Sequence, residues 1–454
     1  MRRSTFVASL SLAAFACAVA AGCGSGSSSP AQGAASDDGG SSGSGSSNGG
    51  ASSSSGSASG AESGDDSGTG SGASSGSGTG SGATSSGATS GSSSGASSGT
   101  SSGTIIDASA PNGRCTMAIP ARGQAADTSN PTTVVGTGTA ASCDFGHLQS
   151  AVTEGGVITF DCGSAAVTIK VTATLNVPTT KNTVIDGGHL VTLDGGGSTQ
   201  ILSFNSANWQ NNENSLTIQH LTLTNAKMVG TMAIPAAPQA ACSQGWDDGQ
   251  GGAIYMRDGN LNVIDSIFTN NQAAPLGPDT GGGAIYVQGS KHGTVIVGSV
   301  FTGNSASNGG AVGGLFNELD VYNSAFTGNK AVGHDNNNND MSMCTVMNNG
   351  QYETGSGGNG GALYSDGNSV NVILCGDDIE GNAAGVNAFG GGLFFTSNNW
   401  QTAAGGTLTI ADTTMTGNTG GHWTNVQMGS VKNAGTAVGT NNRSTAITNS
   451  TVQM

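Results

Sequence analysis

The sequence predicts an all-β chain: a single-stranded right-handed parallel β-helix with a short N-terminal capping helix, preceded by a disordered Gly/Ser-rich linker. Two observations predict it. From residue 216 onward one module recurs, in which an alternating apolar strand leads through a Phe-like residue to an asparagine and is followed by a glycine-rich strand. Between residues 24 and 104 the chain is nearly all Gly, Ser, Ala and Thr, too poor in apolar groups to offset the entropy of ordering.

The first half of the module occupies residues 261–271 (LNVIDSIFTNN), 294–304 (TVIVGSVFTGN), 319–329 (LDVYNSAFTGN), 372–382 (VILCGDDIEGN) and 408–418 (LTIADTTMTGN), with a shorter copy at 216–225. In every copy an i, i+2 pair points to one face: Leu261/Val263, Thr294/Ile296, Leu319/Val321, Val372/Leu374 and Leu408/Ile410. One such strand cannot bury that face alone. Copies stacked in register, about 4.8 Å apart, make continuous ladders down a core. Ile254, Ile285, Val312, Leu363 and Leu393 are expected to form a second ladder, and Phe268, Phe301, Phe326, Ile379 and Met415 a third.

Asn271, Asn304, Asn329, Asn382 and Asn418 recur at one turn, where an amide can donate and accept along the stack, so they are expected as a structural ladder. The paired glycines before each second strand suit a corner with positive φ. The interval between asparagines reads as one coil plus a variable loop, with two coils open for the longest, Asn329 to Asn382. Period-2 strands without helical stripes exclude helical repeats, and a propeller blade would need about four strands per unit.

Residues 144–154 place Phe145, Leu148 and Val152 on one helical face just before the strand 157–160, a helix suited to close the open core. At the other end Thr445, Ile447, Asn449 and Val452 restart the strand pattern and read as an unfinished coil.

Arg2 and Arg3 precede an apolar run, 6–21, too short to anchor as a spanning helix, so residues 1–22 read as a secretory signal. The segment 19–23 (VAAGC) resembles the lipobox of bacterial lipoproteins. That resemblance implies lipid on Cys23 as the mature N-terminus, and Gly24, in place of an aspartate, implies the outer membrane or cell surface. Residues 23–104 are then a tether spanning roughly 50 Å r.m.s., 105–142 a poorly defined lead-in, and 143–454 the β-helix.

The chain carries 12 Lys and Arg against 28 Asp and Glu, a formal charge of −16, which excludes nucleic acid as a partner. Of eight cysteines, Cys17 and Cys23 belong to the export signal. The even remainder in an exported chain implies disulfides: Cys143 with Cys162, from their short spacing across the cap, and Cys344 with Cys375, leaving Cys115 with Cys242. The cysteines have no zinc-site spacing.

The GGAI-type and FxxN-type halves resemble the repeats of polymorphic outer-membrane proteins. Residues 143–197, with GGVITFDC and the segments 185–187 and 193–195, are similar to the opening of β-helix proteins of the pectin-lyase-like superfamily. The first resemblance implies adhesion or surface display, and the second implies binding or cleavage of sugar polymers. A C-terminal autotransporter barrel, typical of the first family, is not evident, and no basic residue after 143 sits in a lyase motif. No catalytic residue is carried over.

Loops 226–250, 272–281, 330–358 and 419–443 all fall between the asparagine and the next glycine strand, so they are expected on one edge of the solenoid. There Trp246, Asp247, Asp248, Asp335, Asp340, Tyr352, Glu353 and Trp423 are the candidate ligand-binding residues, with His334 and His422 nearby; the same loops also read as solvated decoration. Their aromatics could stack on sugars, and calcium is the one cofactor their oxygens would admit, although neither the EF-hand order nor the GGxGxD repeat is present. Tyr255, Tyr286, Tyr364 and Phe394 read as an aromatic stripe beside the aliphatic ladder, interrupted at Gly313, open either as a carbohydrate platform or, the favoured reading, covered by the loops as a satellite core. Asp377, Asp378 and Glu380 cluster in sequence, and the histidines, His189 and His220 among them, show no local metal or triad spacing. Residues 116–120 (TMAIP) recur at 231–235.

The expectation is a lipid-anchored, surface-displayed protein that binds a polysaccharide or a cell-surface receptor without catalysis. A polysaccharide lyase or glycoside hydrolase, and a structural envelope protein, stay open as alternatives.

Overall fold

In the computed structural model the described residues are 114–228, 249–277, 280–334, 357–367, 369–396, 406–420, 438–439 and 444–452. Their strands form sheets of 17, 8 and 2 members, every described pairing parallel. Each copy of the module lies on the next. Leu261, Thr294, Leu319, Val372 and Leu408 are consecutive register partners, as are Ile254, Ile285, Val312, Leu363 and Leu393 on the second sheet. The third ladder also forms, and its rings stack: Phe268 on Phe301 and Phe301 on Phe326, each with centroids 4.7 Å apart.

The asparagine ladder is continuous. Asn271, Asn304, Asn329 and Asn382 each donate through Nδ2 to Oδ1 of the next, at 2.9–3.0 Å, and their backbone N–H groups donate to the same oxygens. Each Nδ2 also donates to a carbonyl of the preceding rung, such as Asn329 to Phe301 O at 3.0 Å. The amides are fully used by the fold, which is why they tolerate complete burial. Asn329 bonds directly to Asn382, so the two are adjacent rungs of the ladder despite the longest interval in sequence.

The glycine pairs act by two different means. Gly282, Gly309, Gly360 and Gly390 have φ of 55–71°, which a side chain rarely adopts. The glycine after each has no such angle; a Cβ on Gly283 would overlap the carbonyl oxygen of Gly310 in the next rung.

At the N-terminal end the helix Phe145–Glu154 buries Leu148, Ala151 and Val152 in the main core, and Asp144 caps it by accepting from His147 N at 3.0 Å. The Cys143–Cys162 disulfide forms as expected.

The lead-in, undefined from sequence, contains a strap on the outside of the large sheet. Arg114 pairs with Asp378, Thr116 donates to Asp412, Cys115 N to Asn323, Arg122 to Gly293 O, Ala126 N to Gln219 and Thr128 to Asp186. These partners run backwards through the stack, from a late rung to an early one. Met117 and Ile119 cover Val295, Val297, Tyr322 and Ala411. The strap ends in the strand Thr133–Val135, which pairs with Gly156–Phe160 beside the helix.

Two expected disulfides are overturned. Cys375 is bonded to Cys115, not to Cys344, and Cys115 is therefore not bonded to Cys242. The strap brings Cys115 to a Cα separation of 5.0 Å from Cys375, which spacing along the chain cannot register. Cys242 and Cys344 lie outside the described residues. No helix among the described residues is long and apolar enough to cross a membrane.

Candidate functional site

The expected loop residues Trp246, Asp247, Asp248, Asp335, Asp340, Tyr352, Glu353 and Trp423 lie outside the described residues, as do His422, Cys23 and the second TMAIP segment. Of the other candidates, the aromatic stripe is a satellite core. Tyr286 and Tyr364 are fully buried, Tyr255 and Phe394 nearly so, and Tyr364 stacks on Phe394 at 5.4 Å. Gly313 interrupts it because the Tyr286 ring occupies the place of a Cβ.

The acids near the asparagine turn do not converge on one site. Asp377 is fully buried, Asp378 pairs with Arg114, and Glu380 is exposed and accepts from Thr416. Asp377 replaces a hydroxyl in a column otherwise made by Ser266, Ser299, Ser324, Thr413 and Ser450. Burial pushes its carboxyl well above the usual range, against hydrogen bonding and the Arg114 charge that oppose the shift.

The structure assembles a different group of side chains at the corner just before that column. Strand Ser215–Thr224 lies between Thr183–Asp194 and Asn260–Ile264, and the flanking register sets His220 beside Asp265. In the rung below, pairing jumps from Asp186↔Gln219 to Val191↔Leu221, so residues 187–190 stand opposite His220 alone. Gly187 permits that longer corner to lie close: a Cβ there would sit 2.6 Å from His220 O. His189 is thereby carried over His220, with ring centroids 4.4 Å apart.

His189 Nε2 lies 3.4 Å from Asp265 Oδ2, and one ring nitrogen of each histidine and a carboxylate oxygen of Asp265 all lie within 4.8 Å of one another. His220 Nδ1 contacts Asp186 Oδ1 at 2.9 Å. Asp186 also accepts from Gln219 Nε2 at 2.9 Å, Gly188 N at 3.0 Å and Thr128 Oγ1 of the strap at 3.0 Å. Burial alone would raise its carboxyl, but the bonds from His220, Gly188 and Gln219 outweigh it and bring the group down to about 2. The Asp265 side chain is 7% exposed, His220 24% and His189 38%, so the group opens to solvent on the His189 side. Two imidazoles and a carboxylate are donors that suit divalent transition metals.

Reading the histidines for local spacing missed this cluster. Aligning the short module copy 216–225 on 261–271 sets His220 over Asp265, a signal present in the sequence; His189 has no counterpart in that alignment.

Comparison with protein-family models, curated proteins and solved structures finds no match to the chain. The class the fold defines is an all-β protein of stacked parallel sheets, built from in-register copies of one module.

Proposed function

We propose that residues 143–454 wind as a single-stranded right-handed parallel β-helix, held at the cell surface by lipid on Cys23 behind the tether 23–104. In this reading it is a non-catalytic adhesin or carbohydrate-binding protein that works through the loops of one edge. The observation that supports it is where the variable segments leave the stack. Just after the asparagine turn, Lys227 bridges to Gln272, Gln272 to Ser305, Lys330 to Ala383 and Ala383 to Thr419, all in parallel. The described starts of successive loops thus lie side by side, one rung apart, as expected where insertions of different length leave one edge of a stack. Loops on a rigid stack are a frequent means of presenting binding residues.

The test is a screen of the purified full chain against acidic and neutral polysaccharides, with and without calcium, recording both binding and new chain ends. Binding that Trp246→Ala and Trp423→Ala weaken, without new ends, is the expected result. New unsaturated or reducing ends would overturn the non-catalytic reading, and absence of binding would overturn the carbohydrate reading. For the anchor, labelling with a fatty-acid precursor is expected in the parent and lost in Cys23→Ser.

A further inference from the structure

At the corner where His220 and Asp265 stand, every described later rung has a left-handed residue: φ is 59° at Gly298, 51° at Asn323, 74° at Gly376, 51° at Asp412 and 48° at Asn449. Glycine and asparagine meet that requirement at low cost. His220, at 51°, and Asp265, at 43°, meet it with functional side chains, and His189, at 60°, repeats the choice one rung earlier. Three such residues on neighbouring rungs turn their side chains toward one another.

We propose that His189, His220 and Asp265 bind one divalent late transition-metal ion, with Asp186 as a positioning residue. Donors about 2.0–2.1 Å from zinc in a tetrahedral site stand about 3.3 Å apart; His189 Nε2 and Asp265 Oδ2 are 3.4 Å apart as they stand. A ring nitrogen of His220 is the third donor, within 4.8 Å of the other two. Asp186 holds Nδ1 of His220, the carboxylate–imidazole arrangement that fixes the tautomer and directs Nε2 to a metal. Asp186 is itself fixed by Gln219 and by Thr128 of the strap. A buried carboxylate such as Asp265 is commonly paired or coordinated to a cation. Two imidazoles select against calcium, which takes oxygen ligands. Three protein donors leave a coordination position to water or an external donor on the exposed His189 side. The site does not depend on what the loops bind.

The experiment uses the untagged full chain, stripped with chelator and titrated with Zn2+, Co2+ and Ca2+. One Zn2+ per chain is expected, with a visible Co2+ spectrum of low coordination number and no competition by Ca2+. His189→Asn, His220→Asn and Asp265→Asn keep a residue suited to the corner, as at Asn323, and are each expected to weaken zinc binding about 100-fold or more. Asp186→Asn is expected to weaken it about 10–100-fold and shift the Co2+ spectrum while the stoichiometry stays at one. An unshifted aquo-cobalt spectrum with the parent chain, zinc affinity unchanged in all three ligand variants, or equal competition by Ca2+ would each overturn the proposal. The parent spectrum decides even where a variant fails to fold.

Discussion

Cys115 is bonded to Cys375, 260 positions further along the chain, and the bond fastens the strap to a late rung of the stack. Below it, Met117 and Ile119 shield Val297, Tyr322 and Ala411, so the outer face of the large sheet is a second, smaller core.

Replacing both cysteines, Cys115→Ser with Cys375→Ser, is expected to lower stability by about 2–4 kcal/mol. Hydrogen exchange should localise the effect. Amides of 115–126 lose protection first, while Asn304 and Asn329 keep theirs; unchanged exchange along the strap would refute a fastening role.

Asn329 makes four side-chain hydrogen bonds, to Asn304 N, Asn304 Nδ2, Asn382 Oδ1 and Phe301 O. Asn329→Ala leaves buried partners unmet and is expected to cost about 2–4 kcal/mol by urea denaturation. Asn418→Ala, at a half-buried end of the ladder where water can replace the amide, is expected to cost about 1 kcal/mol or less. Equal costs at the two positions would argue against a buried ladder.

Asp377 Oδ2 has no hydrogen-bond partner among the described residues, and Asp377 Oδ1 accepts from Ser324 N at 2.8 Å, where other rungs use a hydroxyl. Its folded-state affinity for a proton exceeds the unfolded one, so the stability it contributes is full below about pH 4 and falls as pH rises. Asp377→Ser restores the column and is expected to stabilise by about 1–3 kcal/mol at pH 7. The gain should shrink toward pH 3 in denaturation curves taken across that range.

Under the strap, burial raises Asp320 to about 6 despite the opposing charge of Arg122, with Glu318 adding to the rise. Its contribution is full below about pH 4 and is lost between there and about 6. After allowance for partial exposure, Asp320→Asn is expected to remove about 1–2 kcal/mol of that decline. Tyr322, which burial and Asp320 push up to about 12, should stay protonated through the whole range. A pH profile identical in parent and variant would refute the assignment.

The ladders were legible because the stacking partner of each residue is its own counterpart in the next copy. Thr294 lies on Leu261, and Asn329 on Asn304, whatever the loops between them contain. The capping helix was legible for a similarly local reason, the spacing of Leu148 and Val152 after Asp144. The alignment of copies also held His220 over Asp265, yet that column varies from rung to rung, since any residue tolerant of positive φ serves the corner. Composition and repeat by themselves determined an all-β chain with its register and core ladders. Tertiary structure alone decided the Cys115–Cys375 bond, the path of the strap, the burial of Asp377 and the approach of His189 to His220. Each of these joins positions that do not correspond between copies, and only folding of the intervening chain brings such positions within the few ångströms at which disulfides, hydrogen bonds and ring contacts act.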